Sequence, residues 1–378
     1  MEEFLSPVAD EVLEFDFPKE SIGGSILKHS LELGIPDLTS VSIVFFDVVN
    51  SNAESRLQSN TIRKEFYSLY KGNWSFEFAD VGSIQSGADY SDTQFAVENV
   101  VTDLLKKNIV PVVLGAELSN TFACFKAYHF EDQPVNLSVI SSRFGLGSVD
   151  VEINQNNYLS KIILQEESNL FSYSNLGYQT YLNAQKEIDL IESLNFEAYR
   201  LGDFEDVSKA EPILRDADML VVDFEALKAS EAPGVAYANP NGFTGVQACK
   251  MARYAGMSDR LSCLCLFNYH LKYDVNSTSA IMIAQIVWYF IEGFHLRVKD
   301  YPFGSKDDYL KYMVPVDEHV VVFYQSHRSL RWWVQVDYVI ENNTKRSVLL
   351  PCSYQDYEKT TEGKLPTRWF KHQKKMMS

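Results

Sequence analysis

The sequence predicts an α/β fold: a three-layer α/β/α sandwich around a mainly parallel sheet. Two patterns carry this expectation. Short apolar runs bounded by polar or glycine residues alternate with longer amphipathic segments, the order of strands and crossover helices. The runs are apolar at consecutive positions, so both faces of each strand need cover, and helices joined by right-handed crossovers supply it. Composition agrees, since 46% hydrophobic and 13% aromatic residues are ample for a packed interior in a chain of 378.

Taken in order, residues 1–40 form an N-terminal arm, acidic over its first 20 residues and expected as a surface arm or an edge strand. Residues 41–49, 110–115, 135–140, 218–224 and 261–267 read as strands. Residues 93–107 place Val97, Val100, Val101, Leu104 and Leu105 along one helical face, and 279–293 form a more apolar helix. After Gly293 the pattern changes. Residues 320–324 and 332–336 read as paired strands, and 364–378 carry five Lys/Arg and no acid. The expected division is therefore 1–40, a core over 41–295 and a C-terminal extension over 296–378, with one large core fitting as well as two domains.

A net charge of −17 and a pI near 4.9 repel phosphate, which disfavours nucleic acid and, in general, anionic lipid. No positive N-terminal segment precedes an apolar run, and the longest apolar stretch, 280–290, is interrupted by Gln285 and falls short of the ~20 residues a bilayer span needs. A cytoplasmic location is expected. Cys124, Cys249, Cys263, Cys265 and Cys352 are odd in number and form no disulfide framework. The Asn-x-Ser/Thr triplets at Asn73, Asn136, Asn276 and Asn342 then carry no expectation of glycosylation.

Five segments fall in a telling order: Pro111 to Ser119, reading P-V-V-L-G-A-E-L-S; Ser141-Ser142-Arg143-Phe144-Gly145; Asp223-Phe224-Glu225; Ala232-Pro233-Gly234; and Gly242-Phe243-Thr244. The chain resembles the arginase, agmatinase and formimidoylglutamase (ureohydrolase) family, which carries G-G-D-H-S, D-A-H-x-D, S-x-D-x-D, a-P-G and G-G-l-T at these places. The resemblance covers about residues 40 to 295 and implies the arginase-like sandwich. It also implies a dinuclear Mn site with six ligands, whose positions here are Leu118, Ser141, Arg143, Gly145, Asp223 and Glu225. Only Asp223 and the conservatively changed Glu225 can still ligate, so the Mn cofactor is expected to be lost. The family's proton-shuttle histidine and substrate-holding glutamate are missing too, since no histidine lies between His129 and His270 and the strand ending at Phe267 has phenylalanine where the glutamate would fall.

Those residues support an internal ion pair, with the Arg143 guanidinium occupying the metal space between Asp223 and Glu225, because a buried carboxylate needs a partner. Glu117 joins that network or accepts backbone hydrogen bonds. Cys263 and Cys265 share one strand face as core thiols, with a zinc site lacking the further ligands it would need. The turn Asn239-Pro240-Asn241-Gly242 precedes a helix whose N-terminus holds an anion or is purely structural. Arg331, Trp332, Trp333, Arg368 and Trp369 have the composition of interface anchors, the alternative being that they pack the extension on the core. Lys371, Lys374 and Lys375 form a solvated tail or meet an acidic partner or a membrane assembly.

The leading expectation is a catalytically inactive pseudoenzyme of this family acting as a protein-interaction scaffold or adaptor subunit, its partner another protein, with a homo-oligomer left open. The runner-up is a small-ligand sensor or an enzyme with a repurposed cleft. An active Mn-dependent ureohydrolase comes third.

Overall fold

A computed structural model describes residues 1–130, 133–302, 306–317, 319–340 and 344–377; Asn342 and Ser378 lie outside the described residues. The strands are β1 (Leu5–Ser6), β2 (Leu27–Lys28), β3 (Val41–Val49), β4 (Glu77–Gln85), β5 (Val110–Gly115), β6 (Val135–Ile140), β7 (Leu170–Tyr178), β8 (Glu197–Arg200), β9 (Met219–Asp223), β10 (Cys263–Phe267), β11 (Tyr309–Val316), β12 (His319–Ser326), β13 (Trp332–Ile340) and β14 (Thr344–Cys352). The helices are α1 (Asp10–Leu13), α2 (Ala53–Ser68), α3 (Tyr90–Lys106), α4 (Asn120–Lys126), α5 (Tyr158–Ile163), α6 (Gln185–Ser193), α7 (Glu211–Arg215), α8 (Gly245–Gly256), α9 (Thr278–His295), α10 (Tyr354–Thr361) and α11 (Thr367–Met377).

The central sheet runs β1-β4-β3-β5-β10-β9-β6-β7-β8, with β2 also on β4; all pairs are parallel except β1 on β4. Alternation along the strands sorts side chains into two layers. Ile43, Phe45, Val112, Leu114, Leu220, Val222, Leu264 and Leu266 pack with α2, α8 and α9. Val44, Phe46, Val113, Val221, Cys263, Cys265 and Phe267 pack on the other face with α3, α4, α5 and α6. The arm supplies the sheet edge through β1 and β2. All five cysteines are free and buried. Among the described residues, no helix is long and apolar enough to cross a membrane.

The extension is a separate four-stranded antiparallel sheet, β11-β12-β13-β14, followed by α10 and α11. Arg215 stacks on Trp333 at 4.5 Å and donates to the Cys352 carbonyl at 2.9 Å. Arg331 pairs with Glu211 at 3.4 Å, and Arg368 bridges Glu197 at 2.9 Å and Asp216 at 3.4 Å. Lys371 donates to the Phe196 carbonyl, Lys375 to the Ser172 hydroxyl, and the Trp369 indole to the Gln335 carbonyl. Trp333 is fully buried and Trp332 lies among Tyr312, Tyr354 and Tyr357.

This corrects the expectation of a free aromatic and basic surface. Arg331, Trp332, Trp333, Arg368, Trp369, Lys371 and Lys375 are spent inside the molecule, and of the named residues only Lys374 is exposed. Residues 364–378 were read as a tail, but 367–377 form α11, whose cations meet core carboxylates and carbonyls. The core groups they meet, Ser172, Phe196, Glu197 and Asp216, lie at or before the starts of β7, β8 and β9. The extension therefore docks at the amino end of the sheet, away from the carboxyl ends where ligands bind in such folds.

Candidate functional site

The altered motifs meet at the carboxyl ends of four adjacent strands, β5, β10, β9 and β6. Parallel pairing sets Phe267 beside Asp223 and Ile140 beside Val222, so the residues after these strands share one rim.

Asp223, 3% exposed, is the centre of the cluster. It accepts hydrogen bonds from the Ser141 hydroxyl at 2.7 Å, the Asn268 amide at 2.9 Å and the Glu225 backbone N–H at 2.9 Å. Burial raises its carboxyl above the ordinary range, while these donors favour the ionised form. Glu225 is buried beside it, and desolvation together with the Asp223 charge pushes its carboxyl up to about 8. It holds its proton more readily than an ordinary glutamate, and its Oε1 has no hydrogen-bond partner among the described residues.

The expected Arg143 pair does not close to contact distance, although the Arg143 charge still lowers the Asp223 and Glu225 carboxyls. Arg143 is exposed and its side chain makes no hydrogen bond or close ion pair among the described residues; its backbone N–H is tied to Ser141 Oγ at 3.2 Å. The 141–145 loop is instead held by neutral amides. Asn175 donates to the Arg143 carbonyl, while Asn183 donates to the Ser142 carbonyl and accepts from the Phe144 N–H. Solvation at the rim is cheaper for a guanidinium than burial beside a carboxylate that already carries three donors, and from there its charge still reaches both carboxyls. Replacing Arg143 with Ala is expected to shift stability by no more than about 0.5 kcal/mol, as at an ordinary surface site. A clear drop in melting temperature would reinstate the pairing.

Leu118 is buried in the apolar layer on the α3 and α4 side. Gly145 has φ +75°, and a Cβ there would lie 2.4 Å from the Tyr158 ring, so an aspartate cannot enter without the loop moving. Glu117 is exposed and takes no part in the Asp223 network; it lines a polar cavity of about 300 Å³ with Asn50, Tyr90, Asn120 and Asn154. At α8 the anion position is internal, for Glu231 accepts from the Gly245 N–H and Thr244 caps with Gln247. Cys263 and Cys265 sit 3.7 Å apart as buried thiols.

The sequence gives little sign of Asn268, which donates its side-chain amide to Asp223. Its signal is an asparagine just past a strand, a residue type that tolerates the left-handed φ of +67° it adopts.

The arginase-family profile matches residues 40–292 of this chain. The chain belongs to the arginase family. Among solved structures, this family member is similar to Trypanosoma cruzi formiminoglutamase with Mn, at 14% identity and TM-score 0.60 over 68% of this chain and 94% of that one. The formimidoylglutamase of Bacillus subtilis aligns at 15% identity and TM-score 0.61, covering 70% and 90%. The agmatine ureohydrolase of Thermoplasma volcanium aligns at 16% and 0.57, covering 75% and 97%. These likenesses show the fold. No match is found among curated proteins.

The family's dinuclear centre needs bridging carboxylates and imidazoles. Here the rim offers one carboxylate already carrying three donors, one carboxyl held near neutrality, a hydroxyl, a leucine, a glycine and an exposed guanidinium. Among the described residues no three His, Cys, Asp or Glu are placed to hold a metal ion. The residues present do not fit the group.

Proposed function

We propose that this arginase-family member is a pseudoenzyme that binds no Mn pair, hydrolyses no C–N bond of its relatives' substrates and uses the sandwich as an interaction scaffold. The observation that carries the reading is the Asp223 cluster, in which Ser141, Asn268 and a backbone N–H take the place of metal coordination. The interaction surface we assign lies at the cleft mouth. Exposed Tyr181, Tyr237 and Tyr273 lie on the loops after β7, β9 and β10, and exposed Arg143 on the loop after β6, the side-chain types that anchor protein partners.

Elemental analysis of protein grown in excess Mn, with urea and formamide release followed on arginine, agmatine and formiminoglutamate, tests the first half. The expected result is no stoichiometric Mn and no release; two Mn per chain with turnover would end it. For the second half, Tyr237→Ser with Arg143→Glu is expected to abolish co-purification of a specific partner at unchanged melting temperature. Capture that survives both changes removes this surface.

A second reading, a repurposed ligand cleft, is favoured by the unpartnered Glu225 Oε1 and the polar cavity beside Glu117. A ligand with an amine or hydroxyl at Glu225 would protect the Glu225 loop from hydrogen exchange.

A further inference from the structure

The seam between core and extension encloses a cavity of about 610 Å³, larger than the 300 Å³ space beside Glu117. That volume is within the range of small-molecule sites, which favour the junction of two structural units. Its floor is apolar and buried: Pro212 and Ile213 of α7, Val334 of β13, Leu350 and Cys352 of β14. Its mouth is polar and exposed, formed by Ser208, Lys209, Tyr354, Gln355, Lys359 and Thr367.

Charge gives the site its sign. The lining carries four cations, Lys209, Lys359, Arg368 and Lys371, against two carboxylates, Glu197 and Asp356, in a protein of net charge −17. Both carboxylates are occupied. Glu197 accepts from Arg368 and the Tyr199 hydroxyl, and Asp356 accepts from the Ser353 N–H and hydroxyl at the start of α10. Arg368 and Lys371 are likewise engaged. Among the described residues Lys209 and Lys359 make no hydrogen bond or close ion pair; Lys209 is near enough to Asp206 to lower its carboxyl, so the positive charge left over at the mouth is that of Lys359 with part of that of Lys209. The first residues of α10 and α11 also face the cavity, adding the positive ends of two helices.

We propose that this seam binds a small amphipathic anion, its apolar body on the Ile213, Val334 and Leu350 floor and its carboxylate or phosphate head between Lys209 and Lys359. The site lies at the amino end of the sheet and is independent of the Asp223 cluster. An occupant touches α7 of the core and β13, β14, α10 and α11 of the extension together, so it clamps one to the other and favours the docked state by mass action.

Calorimetric titration of the full chain with decanoate, decyl phosphate and decyltrimethylammonium, each below its micelle concentration, tests this. The two anions are expected to bind at least about tenfold more tightly than the ammonium, and the tighter of the two names the head group. Changing both Lys209 and Lys359 to Glu should weaken anion binding by about tenfold or more at an unchanged melting temperature, since both side chains are exposed; the single Lys→Gln changes should fall between. Equal binding of cation and anions, no binding of either anion, or an affinity indifferent to both lysines would overturn the proposal.

Discussion

Replacing Arg63 with Met is expected to destabilise the protein by about 3 to 5 kcal/mol, the cost typical of leaving a buried charge uncompensated. Arg63 on α2 is 1% exposed and lies between two strands' carboxylates. It reaches Asp80 of β4 through Nε at 2.8 Å and Nη2 at 3.1 Å, Asp47 of β3 at 3.1 Å, and the Gly82 carbonyl at 2.7 Å. Tyr67 and Ser83 complete the shell by donating to Asp80 and Asp47. The two carboxylates outweigh the desolvation that would otherwise lower it, so the guanidinium stays charged at every accessible pH. Met keeps the length of the side chain and removes the donors, leaving two acids in an apolar layer. Urea unfolding measures the loss. Adding Asp80→Asn to Arg63→Met should recover part of it, because one stranded charge goes; a cycle without such coupling would mean that Arg63 acts by packing alone.

That cluster also marks where the sequence stopped being legible. The sequence marks β3, β5 and β6 at their observed bounds: β3 and β5 are nearly continuous apolar runs, and in β6 Val135, Leu137 and Val139 alternate with Asn136 and Ser138 before Ile140. β4 and β7 are just as buried, yet their runs are broken by Asp80 and Ser83 and by Ser172, Ser174 and Asn175, polar groups satisfied by residues far along the chain. At the site, motif order sets Leu118, Ser141 and Gly145 at the ligand positions that the resemblance implies. Where Arg143 points was not legible, since motif spacing fixes a Cα and leaves a long side chain to choose between solvent and a pocket whose charge depends on Asn268 and the protonation of Glu225. In the extension, arginine beside tryptophan signals a desolvated interface. It does not say whether the other side belongs to a partner or, as with Arg215, Glu197 and Asp216, to the same chain.

Because that interface is internal, Arg368→Met should release the extension, at a cost again of about 3 to 5 kcal/mol, since Glu197 would be left buried without its cation. Burial alone would raise the Glu197 carboxyl, but Arg368, His372 and the Tyr199 hydroxyl outweigh it and hold it at about 2. A carboxyl depressed in the folded state contributes stability that is present above its unfolded value, near 4.5, and lost as pH falls toward 2. His372 of α11, 3% exposed, runs the same way for a different reason: desolvation lowers it to about 4 against the pull of Asp216 and Glu197, so it docks neutral. The unfolded chain binds that proton first, and between pH 6.5 and 4 the docked state loses stability, by roughly 3 kcal/mol at most. Acidification should therefore undock the extension from pH 6.5 downward through His372 and further below 4.5 through Glu197. Hydrogen exchange of β13 and α11 at pH 7 and pH 5 reads this directly, against the amides of β5 and β10 as the reference. In His372→Phe the step between pH 6.5 and 4 should vanish while the one below 4.5 remains. Protection in β13 and α11 that stays constant from pH 7 to pH 4, or Arg368→Met melting like the parent, would mean that apolar packing around Trp332 holds the extension without these charges.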